Sequence, residues 1–157
     1  MRAVVCNEYG PPELLTMIDL PDPVARPNHV VVEVAYAAVN YRDVLILANR
    51  YQLSVPVPFV PGSEFSGTVV AIGDGVTNVA VGDHVFGAAM TGAFAERIVV
   101  PAAAVRRVPP DVALDAAAGF WVAHATAYHA LRSIAEVQPG ELVVVLGYRE
   151  DVVRAAL

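Results

Sequence analysis

At 157 residues the chain can bury one good core, so one domain plus part of a second is the natural expectation. A hydrophobic fraction of 56% and a charged fraction of 17% exclude a disordered chain, while a net charge of -6 without any lysine or arginine cluster argues against nucleic-acid and acidic-membrane partners. The apolar runs are all far shorter than the roughly 20 residues of a membrane-spanning helix, and Cys6, the only cysteine, excludes an intrachain disulfide and a four-thiolate zinc site.

The chain opens on Met1-Arg2-Ala3-Val4-Val5-Cys6, followed at once by Asn7, Glu8 and two prolines. That pattern reads as a first strand rather than a signal peptide, and the expected location is cytoplasmic. Valine-rich segments bounded by turn residues predict strands over 2–6, 14–20, 29–36, 65–72 and 93–100. In the third, Val30, Val32, Val34 and Tyr36 alternate with Val31, Glu33 and Ala35, which predicts one face more buried than the other. Pro21, Pro23 and Pro27 mark an exposed connection before it. Between the third and fourth strands, residues 40–51 read as a strand end followed by two helical turns with Val44, Leu45 and Leu47 toward the core. Several short strands at this spacing predict a sandwich or barrel.

The texture changes near residue 111. Asp111 and Asp115 stand in the first turn of an alanine-rich helix, where the helix dipole favours acidic groups, and Gly119 interrupts it. A second helical run over 121–135 ends before the turn signal Pro139-Gly140. Residues 141–147 form a continuous apolar stretch, the signature of a strand in a buried parallel sheet.

Gly62-Ser63-Glu64-Phe65-Ser66-Gly67-Thr68-Val69, continuing through Gly73 and Val76 to Gly82-Asp83-His84-Val85, follows one gapless frame of glycines, a glutamate and valines. Its glycines fit positive backbone angles or close approach at barrel corners. Glu64, a carboxylate inside an apolar segment, needs a partner. The frame resembles the N-terminal, GroES-like domain of medium-chain dehydrogenases and reductases. The resemblance implies a fold that is mainly β with a few helices: a GroES-like partly open β-barrel, then a junction helix and the first strand of an incomplete Rossmann-type domain. It divides the chain into a catalytic, substrate-side domain over 1–119 and a junction helix plus truncated dinucleotide-binding start over 120–157.

In the metal-using branch, the position of Ser63 carries a zinc-ligating histidine and that of Asn40 a cysteine. Serine and asparagine there imply a zinc-free protein, with no metal. Asn40-Tyr41-Arg42-Asp43-Val44-Leu45-Ile46 resembles a segment of polyketide enoyl reductases and, more loosely, of NADPH:quinone oxidoreductases. By that resemblance Asn40 helps to position the nicotinamide of NADPH, and Tyr51 lines the substrate cleft as a catalytic proton donor or orienter. Read locally, Arg42 and Asp43 fit an ion pair and Tyr51 a packing role. Ala123-His124-Ala125-Thr126-Ala127-Tyr128 resembles the junction helix, where Thr126 approaches the nicotinamide ribose or carboxamide. His124 and His129 are five apart and share no helix face as a metal pair would. Gly147 begins the phosphate-binding turn of the relatives, but Tyr148-Arg149-Glu150-Asp151 replaces the glycines that cradle pyrophosphate. Truncation or a frame change near residue 148 is the expected cause.

Two functions fit these residues. One is an NADPH-dependent oxidoreductase that transfers hydride to a quinone or an activated C=C bond, an enone or enoyl thioester, with a small-molecule substrate. The other is a non-catalytic folding, oligomerisation or interaction module. The apolar run at 141–147 would offer a strand edge for self-association, so a homo-oligomer is one expected form.

Overall fold

The computed structural model describes residues 1–146 and 155. Its elements are β1 (Arg2–Val5), β2 (Thr16–Asp19), β3 (His29–Ala38), α1 (Tyr41–Leu47), β4 (Glu64–Ile72), β5 (His84–Ala88), β6 (Arg97–Pro101), β7 (Val105–Arg107), α2 (Leu114–Ala118) and α3 (Phe120–Tyr128). A π-helical turn, His129–Ile134, continues directly from α3. Five strands form one antiparallel sheet in the order β6-β3-β4-β5-β7, and β1 pairs with β2 beside it. The sheet does not close on itself among the described residues, which matches a mainly β, partly open architecture.

The core lies on one face of this sheet. Val30, Val32, Phe65, Val69, Val85, Ile98, Val100 and Val105 pack there, all buried. Each such aliphatic or aromatic side chain withdrawn from water contributes about 2 kcal/mol. The alternation expected in β3 is broken in both halves of the strand. Val31 is buried as well, and Tyr36 is exposed while Ala37 turns toward the core. For Tyr36 and Ala37 the cause is a register shift between Val34 and Tyr36 against β4, which leaves Ala35 without a partner and reverses the facing of the residues after it.

Strand β4 has two differently used faces. Phe65 and Val69 point into the core, whereas Glu64 and Ser66 face the helices and are buried beneath them. The Ser66 hydroxyl donates to the Leu114 carbonyl at 2.5 Å, tying α2 to the strand. Helix α1 begins at Asn40 in extended conformation, and its Asp43 Oδ2 accepts the Asn40 N–H at 2.8 Å in a capping-box arrangement. It ends where Asn49 takes a left-handed φ of 50°. Ile46 and Leu47 are its buried apolar positions; Val44, expected inward, is exposed, because the polar Asp43 takes the buried place beside it.

Several expectations meet other outcomes. Strands β5 and β7 carry no clear sequence signal, since each is short and lacks a long alternating run. The segment expected as a strand over 93–100 becomes one only from Arg97; before it, Ala93 and Phe94 donate to the carbonyls of Gly62 and Pro61 instead of joining the ladder. A 3-10 turn at Pro12–Leu14 shortens the second strand to Thr16–Asp19. Gly119 does separate α2 from α3. Residues 141–146, expected as a buried strand, pair with nothing among the described residues, and Leu142 and Leu146 are 91% and 90% exposed. A parallel strand takes its hydrogen bonds from neighbours across a crossover, and no described segment supplies one.

Of the glycines in the frame, Gly62 and Gly82 adopt φ of 91° and 93°, as barrel-corner glycines should. Gly67 serves close approach: a Cβ there would lie 2.0 Å from the Glu33 carbonyl oxygen. Gly67→Ala should therefore cost about 3 kcal/mol or more, because the β3–β4 ladder must part to admit it. Gly119→Ala, whose Cβ would meet nothing within 4 Å, should cost less than about 1 kcal/mol. Urea unfolding of both variants checks the contrast; equal costs would show that strand approach at Gly67 does not limit the fold.

Candidate functional site

The buried polar side chains of the described residues are Asn40, Asp43, Ser63, Glu64 and Ser66. All lie at the end of β3, the start of α1, or the start of β4. The antiparallel register places Ala38 opposite Glu64, so the residue that caps α1, two positions later, arrives over the first residue of β4. There the Asn40 Nδ2 donates to Glu64 Oε2 at 3.1 Å. Glu64 Oε1 accepts the Val122 N–H at 2.8 Å.

The second bond has a local cause. Helix α3 starts from Gly119, which has no side chain to cap it, so its first N–H groups need acceptors from elsewhere. Glu64 provides one across 58 positions of sequence. At 1% exposure it is almost wholly withdrawn from water, and burial pushes its carboxyl above the ordinary value of 4.5. The N–H groups of Val122, Asn40 and Trp121 pull in the other direction, and the nearby Asp43 carboxylate adds to the rise. Beside this pair, Ser63 Oγ, Asp43 Oδ1 and Arg42 Nε are buried without a hydrogen-bond partner.

Tyr51 follows α1 in the chain. The Arg42 guanidinium lies 5.8 Å from the centre of its ring, and Arg42 Nη2 donates to the Ala89 carbonyl at 2.8 Å. Arg42 and Asp43, expected as an ion pair, thus engage separate partners: a carbonyl and an aromatic face for one, the Asn40 N–H for the other. Thr126 is exposed on α3, one turn beyond Val122. Asn40 and α3 are therefore joined through Glu64, and Tyr51 is joined to α1 through Arg42. No hydrogen bond or ring contact links Asn40, Tyr51 and Thr126 directly to one another among the described residues. Gly147 lies outside the described residues. Sequence reasoning missed the binding partner of Glu64; only its need for one was legible.

A cleft of about 400 Å³ opens elsewhere, lined by Phe86, Arg106, Val112, Phe120 and His124 among others. None of the three expected site residues lines it. Among the described residues, no three His, Cys, Asp or Glu side chains gather as metal ligands, and no helix is long and apolar enough to cross a membrane. Serine and asparagine stand at the two positions discussed for zinc, and a hydroxyl and an amide are poor donors for that ion.

The model of the alcohol dehydrogenase GroES-like domain matches residues 26–110. The chain belongs to this family. Its relatives lie on the quinone oxidoreductase side of the medium-chain dehydrogenases and reductases. It is 39% identical over 144 residues to quinone oxidoreductase-like protein 2 of Mus musculus, a match covering 92% of this chain and 41% of the relative. It is 38% identical over 125 residues to the pikromycin polyketide synthase component PikAII of Streptomyces venezuelae, covering 80% of this chain and 3% of that much longer protein. Among solved structures, the quinone oxidoreductase of Thermus thermophilus, also solved with NADPH, superposes with a TM-score of 0.86 at 32% identity. That superposition covers 99% of this chain and 48% of the other. The chain thus spans about two-fifths of the length of the curated quinone oxidoreductase-like relatives it matches.

A raised carboxyl pKa in the folded state gives a pH dependence with a definite sign. Between the unfolded value near 4.5 and the higher folded value, the folded chain holds a proton that the unfolded chain has lost. Glu64 thus supports folding fully below that window, and the support is lost as pH rises through it. Glu64→Gln removes this slope and leaves one acceptor oxygen for two N–H donors, at a cost of about 1–3 kcal/mol. The stability advantage of the unsubstituted chain over Glu64→Gln should therefore shrink as pH rises above about 4.5, as followed by denaturant unfolding. An advantage that grows with pH would overturn the direction assigned to Glu64.

Proposed function

We propose that this chain forms the substrate-side part, over 1–119, and the junction helix of a zinc-free, NADPH-dependent reductase. The reaction is hydride transfer to a quinone or to an activated C=C bond, an enone or enoyl thioester. The observation that carries this reading is the tie between Asn40 and α3: the residue expected at the nicotinamide and the helix bearing Thr126 meet on one buried carboxylate. The family membership and the polyketide synthase relative support it.

The residues present suit the nicotinamide end of such a cofactor. One Asn40 amide N–H is held by Glu64, while the other has only a 3.5 Å contact with the Ala38 carbonyl, at the limit of a hydrogen bond, and remains a donor for a ligand oxygen. The Thr126 side chain is on an exposed position of α3. NADPH, when bound, supplies the hydride. In this reading Asn40 and Thr126 orient the carboxamide and ribose, and Tyr51 delivers the proton that completes reduction of the double bond. Arg42 keeps the Tyr51 ring in place through its guanidinium.

A second reading, the non-catalytic module, draws on the exposed apolar run from Leu142 to Leu146, a surface that favours self-association or a partner chain. Titration with NADPH, followed by the fluorescence of Trp121, separates the two. Saturable micromolar binding is expected for the reductase reading, and no binding at millimolar cofactor would remove it for this chain. Tyr51→Phe should lower turnover about 10- to 100-fold on enone or quinone while leaving NADPH affinity nearly unchanged. Undiminished turnover on every acceptor would reduce Tyr51 to packing.

A further inference from the structure

Glu64 has no role in the chemistry described so far, yet it is the most thoroughly buried charged residue described, at 1% exposure. Burial of an unpaired carboxylate is costly, and a glutamine, leucine or methionine would fill the same volume without that cost. The reason for a carboxylate lies in its acceptor chemistry. Ionised, it offers two oxygens and no donor. Both oxygens are engaged here, one by a side-chain amide and one by a helix N-terminus.

An asparagine amide can normally lie either way round, since its oxygen and nitrogen ends are nearly the same size. Against an acceptor-only group only the nitrogen end fits. We propose that Glu64 is a positioning residue: together with the Asp43 N–H that faces the Asn40 side-chain oxygen in the capping box, it fixes which way round the Asn40 amide lies, and it holds α3 in register with it. The second Asn40 N–H, only weakly engaged at 3.5 Å, is thereby kept as the donor presented to a bound ligand's carbonyl oxygen. The consequence for the nicotinamide carboxamide rests on the reading of Asn40 given above. A glutamine in place of Glu64 could not substitute, because its own amide must aim an N–H at either Asn40 or Val122. Turning the Asn40 amide round to relieve that conflict would lose the ligand-facing donor.

The test is nuclear magnetic resonance of the full chain, labelled with nitrogen-15, with and without Glu64→Gln. In the unsubstituted chain the two Asn40 amide protons should be well separated, with the one facing Glu64 shifted downfield and slow to exchange, and the Val122 N–H protected. In the Glu64→Gln variant both signatures should be lost, and NADPH affinity measured well below the melting temperature should fall about tenfold. A purely structural role would lower the melting temperature and leave that affinity unchanged; that result, or Asn40 signals unmoved by the substitution, overturns the proposal.

Should the Glu64→Gln variant fail to fold, an acid titration of the unsubstituted chain serves. The Asn40 side-chain and Val122 N–H signals should move together, with the midpoint of the Glu64 carboxyl carbon. Asp43, the neighbouring ionisable group, is followed through its own carboxyl carbon; midpoints tracking Asp43 instead would overturn the assignment to Glu64. If the unsubstituted chain binds no NADPH, the cofactor reading fails, while the Asn40 and Val122 signals still decide the role of Glu64.

Discussion

A carboxylate sealed between a sheet and two helices is the constraint on which the arrangement of this chain depends. Glu64 begins β4, and β4 is the strand that both β3 and β5 pair against. Its helix-facing side is polar and its core-facing side apolar, so the strand carries two different kinds of packing at once. Ser66 fixes the start of α2 and Glu64 the start of α3. Helix placement on this sheet is thus directed by hydrogen bonds, with apolar contacts such as Phe86 against Phe120 and Trp121 filling in around them. Directional bonds set a helix position more sharply than apolar packing does, because their geometry tolerates less displacement.

The same pair explains why the polar residues gather where they do. The end of β3 returns beside the start of β4, so a cap for α1 and an acceptor for α3 are brought within one hydrogen bond of each other. Neither helix is long enough to be stable by itself. Their ends are held differently: α1 is capped locally by Asn40 and its own Asp43, and α3 takes its acceptor from Glu64 of β4. The functional reading and the stability reading therefore fall on the same atoms. Weakening that cluster would disturb both the helix ends and any ligand placed against Asn40.

Much of the architecture is legible in the chain. Valine-rich segments between prolines and glycines mark four of the strands within a few residues, and the glycine frame marks the corners. Short strands such as β5 and β7 carry too few alternating positions to stand out, and they form because longer neighbours offer them a ladder. The facing of Tyr36 departs from the alternation because a bulge reverses it, and a bulge is a property of two paired strands rather than of one. Val44 departs for a similar reason: which side of a two-turn helix is buried depends on what it lies against.

Residue identities alone determined the family, through the glycine frame, and the absence of histidine and cysteine at the two positions where zinc relatives carry ligands. They also required that Glu64 have a partner, since a buried charge must be compensated. They did not say which partner. Val122 is 58 residues away, offers only a backbone N–H, and would serve equally well as almost any other amino acid. Backbone donors leave no mark in side-chain identity. The joining of Asn40 to α3, and with it the candidate site, was decided only when the sheet brought those distant segments together.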